Sequence, residues 1–141
     1  MSDGNDFNER NIAEFRANHG RVSGPFEGAP IVLLQTVGAR SGKPRTNIMM
    51  YLADGERYLV FASNAGADDN PAWYFNILAN PRVTVERWDG DAIDSFEATA
   101  TPAEPEERDR LFAAVVAKSP GFGEYQAKTA RVIPVVILRR S

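Results

Sequence analysis

The 141-residue sequence predicts an antiparallel α+β domain, mainly β, closed into a small six-stranded barrel with flanking helices. Three observations predict it. Six strand-like segments occur, at about 31–37, 46–53, 57–63, 82–88, 92–101 and 132–138. Asp54-Gly55 and Asp89-Gly90 join two pairs of them with tight-turn dipeptides. The helical stretches stand apart from the strands instead of alternating with them, which disfavours a parallel sheet.

Each element has a local reason. Residues 6–19 read as a helix, with Asp6 at its start and Phe7, Ile12 and Phe15 at near-helical spacing. His19, the single histidine, precedes Gly20 and fits a helix end. Gly20 to Pro30 is rich in glycine and proline and reads as a loop. Asn70-Pro71 supplies a cap and a first helical residue for a short helix through about Ala79, which Asn80-Pro81 stops. Pro105-Glu106-Glu107 opens an acidic-first helix to about Lys118. Pro120-Gly121 breaks it, and a shorter helix holds Glu124 to Thr129. Pro134 marks the last strand as an edge strand or places it at a strand start. One domain is expected, with residues 1–30 as N-terminal helix and loop and 31–141 as the barrel.

Composition excludes several functions. Hydrophobic residues make up 43% and charged residues 25%, the range of soluble globular domains. The net charge of −3 argues against general nucleic-acid binding. With no cysteine and one histidine, thiol catalysis, disulfides and a His/Cys metal site are excluded, so no metal is expected and a cytoplasmic location fits. No apolar run is long enough to span a membrane, and the polar, acidic N-terminus does not resemble a signal peptide.

Against that acidic background stands Gly38-Ala39-Arg40-Ser41-Gly42-Lys43-Pro44-Arg45. Its glycines allow a turn whose N–H groups face an anion, and Arg40, Lys43 and Arg45 can add charge-assisted hydrogen bonds to a phosphate. A solvated hairpin tip explains the same charges equally well. At the end of the third strand, Ala62-Ser63-Asn64-Ala65-Gly66 offers small residues against which a planar ligand can lie, or simply a turn. The helix after Asn70-Pro71 carries Trp73, Tyr74, Ile77 and Leu78. At least half of these belong to a core, while the first turn presents free N–H groups. Phe122 and Tyr125 lie three apart; they line a pocket mouth or pack a surface helix down.

These pieces, in this order, make the chain resemble the deazaflavin-dependent nitroreductase family, oxidoreductases that use coenzyme F420. The matching segments run from about Leu33 to Leu138 and include Thr36 to Arg45, Met50 to Gly55, Ala62 to Gly66, Asn70 to Tyr74, Leu78 to Pro81, Tyr125 to Thr129 and Ile133 to Val136. The resemblance implies a six-stranded split β-barrel like that of flavin-mononucleotide-binding proteins. It implies that Arg40, Ser41, Gly42, Lys43, Pro44 and Arg45 hold the cofactor's phospholactyl and glutamyl tail. Ala62, Ser63, Asn64, Ala65, Gly66, Pro71, Ala72 and Trp73 would frame the deazaflavin ring. Ser63 and Tyr125 would act as catalytic groups at the acceptor, with Phe122 beside Tyr125 in the substrate pocket.

The implied reaction is hydride transfer from reduced F420 to a quinone, nitroaromatic or enone. The cofactor carries the redox chemistry, and the protein positions it. Two alternatives accompany this reading: an F420-storing protein without turnover, and a flavin mononucleotide (FMN) protein on the same architecture. Against the family pattern, Ala39 stands where arginine is common and Asn64 where some members have lysine. Ser119 and Phe122 stand at two tyrosine-rich positions. Partners are expected to be a small hydride acceptor and a second copy in a homodimer. Membrane contact is at most peripheral: Asp6, Glu9 and Glu14 favour docking or capping by the first helix over contact with an anionic surface.

Overall fold

The computed structural model describes residues 3–19 and 30–141. The loop expected from Gly20 falls, up to residue 29, outside the described residues, as does the side chain of Phe7. Helices α1 (Asp3–Ala17), α2 (Ala72–Ala79), α3 (Pro105–Lys118) and α4 (Gly121–Ala127) surround strands β1 (Ile31–Val37), β2 (Pro44–Met50), β3 (Leu52–Asp54), β4 (Arg57–Phe61), β5 (Arg82–Trp88), β6 (Ile93–Pro102) and β7 (Val135–Arg140). The strands form one sheet in the order β2-β1-β5-β6-β7-β4-β3. Every pairing in it is antiparallel.

The described residues thus form seven strands where six were expected. The second expected strand is divided at Tyr51, whose N–H makes one more bond toward β1, to the carbonyl of Pro30 opposite it at 3.1 Å; Pro30 has no N–H to return, and from Leu52 the chain pairs with β4 instead. The interruption has a topological consequence. β2 and β3 are separated by one residue, yet they form opposite edges of the sheet. The sheet must therefore curl until its edges approach, and the result is a mostly β, half-barrel-like structure with flanking helices.

Alternation along the strands buries both faces. Val32, Leu34, Val60, Val136 and Leu138 point into the inner core, where Trp73 and Ile77 of α2 join them. Their neighbours point outward: Leu59, Phe61, Val135 and Ile137 lie under α3 and α4, and Ile31, Leu33 and Ile48 lie under α1. Burial on two faces is why β1, β4 and β7 read as continuous apolar runs. Phe15 is fully buried among Ile31, Leu33 and Ile48, a gain of about 2–3 kcal/mol over exposure. Arg16 fastens α1 further, donating to both carboxylate oxygens of Glu86 at 3.1 and 2.6 Å, and this pairing raises its pKa. The first helix is thus docked on the sheet. His19 sits past its end with φ 59°, the left-handed conformation expected at a helix stop, and its ring stacks on Trp88 at 4.9 Å.

Several boundaries move for physical reasons. The last strand begins at Val135, not 132, because Ile133 donates its N–H to Gln126 Oε1 at 3.0 Å and Pro134 has none to give. Pairing of β7 with both β4 and β6 makes it a central strand, so Pro134 marks a strand start and not an edge. The helix α2 starts one residue later than expected, with Pro71 in the cap position and no side-chain cap. α4 begins at Gly121, directly after Pro120, instead of at Glu124.

Candidate functional site

The basic segment closes the β1–β2 hairpin. Gly38 N–H donates to Lys43 O at 2.8 Å, and Gly42 N–H to Gly38 O at 2.9 Å. Gly42 takes φ +69°, which a glycine does without strain. Ser41 Oγ accepts from Lys43 N–H at 3.2 Å. A Cβ on Gly38 would meet Ser41 Oγ at 2.5 Å and Lys43 O at 3.3 Å, so a side chain at residue 38 would displace the Ser41 hydroxyl that accepts from Lys43. Arg40, Ser41, Gly42, Lys43, Pro44 and Arg45 are exposed. Among the described residues none of the three cations forms an ion pair.

One residue that sequence reasoning missed fixes this loop in space. Asn76, buried on the inner side of α2, donates from Nδ2 to Thr36 Oγ1 at 3.0 Å and accepts at Oδ1 from the Ala39 N–H at 2.9 Å. Thr36 is itself 1% exposed. The amide therefore ties the start of the basic loop to α2. The available signal was a polar side chain inside the otherwise apolar run Trp73 to Leu78.

Loop and helix face each other across a cleft of about 1000 Å³. Arg40, Ser41, Pro44 and Arg45 line one side, and Ala72, Trp73 and Phe75 the other. The first-turn N–H groups of α2, at Ala72 and Trp73, have no intrahelical acceptor. Glu9 and Ile12 of α1 also line the cleft, so the docked first helix caps it as well. The expected tail-holding residues and the first turn of α2 are thus neighbours in space. Gly42 and Lys43 belong to the same loop but lie outside the described lining.

The remaining expected residues gather elsewhere. Asn64–Gly66 is a single 3₁₀ turn, with Asn64 at φ 47° and Gly66 at φ +83°. Asn64 Nδ2 donates to Asp69 O at 3.0 Å. Ala62 is fully buried, shares the inner core with Trp73 and so links the two groups, while Ser63 and Pro71 are half-buried. A Cβ on Gly66 would meet Tyr125 O at 2.9 Å. The turn therefore lies directly against α4, and Ala65 is part of it. Phe122, one of the residues expected at a pocket mouth, is buried between Phe61 and Tyr125, with ring centroids 5.2 and 5.8 Å away. It is core. Tyr125 is half-buried, with Lys128 Nζ 5.9 Å from its ring centroid. Among the described residues no cluster of groups suited to a metal ion occurs, and no helix is long and apolar enough to cross a membrane.

Comparison with known proteins shows the family of the chain. A description of the F420H(2)-dependent quinone reductase family matches residues 8–140. An F420H(2)-dependent quinone reductase of Mycobacterium tuberculosis strain H37Rv is 38% identical over 132 residues, spanning 91% of this chain and 86% of that protein. Among solved structures, an F420-H2 dependent reductase superposes with TM-score 0.67 at 43% identity, over 78% of this chain and 94% of its own. A chain described as a domain-swapped dimer gives TM-score 0.69 at 38% identity, over 96% and 99%. The haem storage protein HutZ of Vibrio cholerae, at 18% identity and TM-score 0.61 over 94% and 89%, shares the fold alone. The chain belongs to the F420H(2)-dependent quinone reductase family. It is an oxidoreductase whose cofactor is coenzyme F420, and FMN finds no support as the alternative.

Proposed function

Starting from this family membership, we propose that the cleft between the basic loop and α2 holds the anionic tail of F420, and that the acceptor is an electron-poor quinone or a related nitroaromatic or enone reached from the Ser63–Tyr125 side. The observation that carries the reading is the cleft itself. Arg40 and Arg45, cations without an ion-pair partner among the described residues, line it together with Ala72 and Trp73 of the first turn of α2, a helix start with no side-chain cap. That donor set suits phosphate and carboxylate oxygens.

When bound, the reduced deazaflavin supplies the hydride. The chain's own residues do the rest. Arg40, Ser41, Gly42, Lys43, Pro44 and Arg45 bind the tail, and Asn76 orients the loop that carries them. Ala62, Ser63, Asn64, Ala65 and Gly66 form a small-residue platform, with Pro71, Ala72 and Trp73 as its wall. The hydroxyls of Ser63 and Tyr125 donate hydrogen bonds to the acceptor oxygen as negative charge develops there, and Tyr125 can deliver a proton. Phe122 supports the Tyr125 ring from behind. The curled sheet, in which β2 and β3 act as two halves of one bent strand, supports a split-barrel reading. A homodimer and a cytoplasmic location complete the proposal.

Oxidation of F420H2 by menadione tests it. Wild-type protein should turn over, and Tyr125→Phe should lower kcat about 10²-fold, the scale of a lost general acid, with F420 affinity unchanged. Wild-type protein that binds F420 without oxidising it in the presence of any acceptor class would favour the storage reading. A fully active Tyr125→Phe/Ser63→Ala double variant would remove these hydroxyls from the chemistry.

A further inference from the structure

Arg131 lies outside every motif recognised in the sequence, in the short connection between α4 and β7. Its guanidinium donates four hydrogen bonds into residues 62–70: Nε to Ala67 O at 2.8 Å, one terminal nitrogen to Ala62 O at 3.1 Å and Asn70 Oδ1 at 2.6 Å, and the other to Ser63 O at 2.8 Å. Four of its five N–H groups are thus used. Among the described residues no carboxylate pairs with it. A second tie runs alongside, from Thr129 Oγ1 to Asp68 Oδ1 at 2.9 Å. A third is steric: Gly66 lies so close to Tyr125 O and Lys128 that a Cβ would meet them at 2.9 and 3.1 Å.

We infer that Arg131 is a positioning residue, which locks the Ser63–Asn70 connection onto the α4 segment so that Ser63 and Tyr125 are held as one unit. The inference rests on the proposed roles of Ser63 and Tyr125 for its catalytic consequence, but not for its structural one. The geometry accounts for the choice of side chain. Three backbone carbonyls and an amide oxygen, fanned around one planar group, need a rigid fork of donors. Lysine carries the same charge but cannot reach four acceptors at once. A connection whose regular structure is a single 3₁₀ turn holds its shape only if its backbone groups find partners, and here one side chain binds two of its carbonyls and that of Ala62 just before it.

The test is Arg131→Lys, which keeps the charge and loses the fork, measured by hydrogen exchange and by kinetics. The amides of Gly66 and Ala67, which bond to Ser63 O and Asn64 O, should exchange at least about tenfold faster as local opening becomes easier. The kcat with menadione should fall about 10- to 100-fold, the scale of a misplacement near 1 Å, while Kd for F420 stays within about threefold because tail contacts carry the affinity. Asn70→Ala, which removes one acceptor and spares the fold, should shift both readouts in the same direction by less. Wild-type exchange at these amides in Arg131→Lys would overturn the inference. So would a kcat loss matched by loss of folded protein in a thermal melt, or faster exchange with unchanged kcat while Ser63→Ala and Tyr125→Phe both impair turnover. Faster exchange together with fully active Ser63→Ala and Tyr125→Phe variants would support the lock and sink only the proposed catalytic roles.

Discussion

Replacing Asn76 by alanine isolates the link between fold and site. The substitution removes two hydrogen bonds, to Thr36 Oγ1 at 3.0 Å and from Ala39 N–H at 2.9 Å. The two losses are unequal. Ala39 is exposed, so water can satisfy its freed N–H. Thr36 is 1% exposed, so its hydroxyl loses a partner that water cannot replace. A net loss near 1 kcal/mol for the first bond and 1–3 kcal/mol for the stranded hydroxyl gives about 2–4 kcal/mol in all. Urea denaturation should show this as a lower midpoint at unchanged m-value. The same change releases the basic loop from α2, so F420 affinity should fall about tenfold, or 1.4 kcal/mol. A cycle with Thr36→Val should give a coupling near 1 kcal/mol, because the two groups share one bond. A stability loss below about 0.5 kcal/mol with unchanged F420 affinity would refute the claim that this amide fixes the loop.

Two further outcomes follow from the same geometry. Gly38→Ala places a methyl group 2.5 Å from Ser41 Oγ and 3.3 Å from Lys43 O; it should cost about 1–3 kcal/mol in a thermal melt, and adding Ser41→Ala should recover part of the loss. Asp54 accepts from the Arg57 guanidinium, which also binds Glu107 Oε2 of α3 at 3.1 Å. The Arg57 guanidinium holds the Asp54 carboxyl below the usual carboxylate range. Stability from a depressed carboxylate is present above its ordinary pKa and is lost as pH falls through the lower, folded value. The melting temperature of wild type should therefore exceed that of Asp54→Asn at pH 7, and the gap should close below about pH 4. A gap independent of pH would show that the pair contributes nothing through ionisation.

Much of the fold was legible because local chemistry dictated it. The Asp54-Gly55 turn forms as its dipeptide requires, with Gly55 at φ +61°. α3 spans Pro105–Lys118, the bounds its proline, first-turn acids and final lysine announce. Arg40, Arg45, Ala72 and Trp73 also meet in one cleft, as a shared ligand would require. What sequence did not reveal depends on partners far along the chain. Nothing near Tyr51 says that the chain will stop pairing with β1 there and pair with β4 on the opposite edge. Asn76 looks like a helix residue until Thr36, 40 positions away, is placed beside it. Arg131 reads as an unremarkable surface cation because its acceptors lie 61 to 69 residues earlier. Phe122 and Tyr125 share a helix, and only the packing of Phe61 and Val115 separates the buried ring from the half-buried one.

The central claim is that this cleft is where the cofactor is held. A fluorescence titration with F420 and, in parallel, with FMN tests it most directly, on wild type, Arg40→Ala, Arg45→Ala and the double variant. Wild type should bind F420 in preference to FMN. Each single change should weaken F420 by about 1–3 kcal/mol, the worth of a charged hydrogen bond, with melting temperatures unchanged because neither arginine forms an ion pair among the described residues. F420 affinity in the double variant equal to that of wild type would place the cofactor elsewhere on the protein and contradict the account.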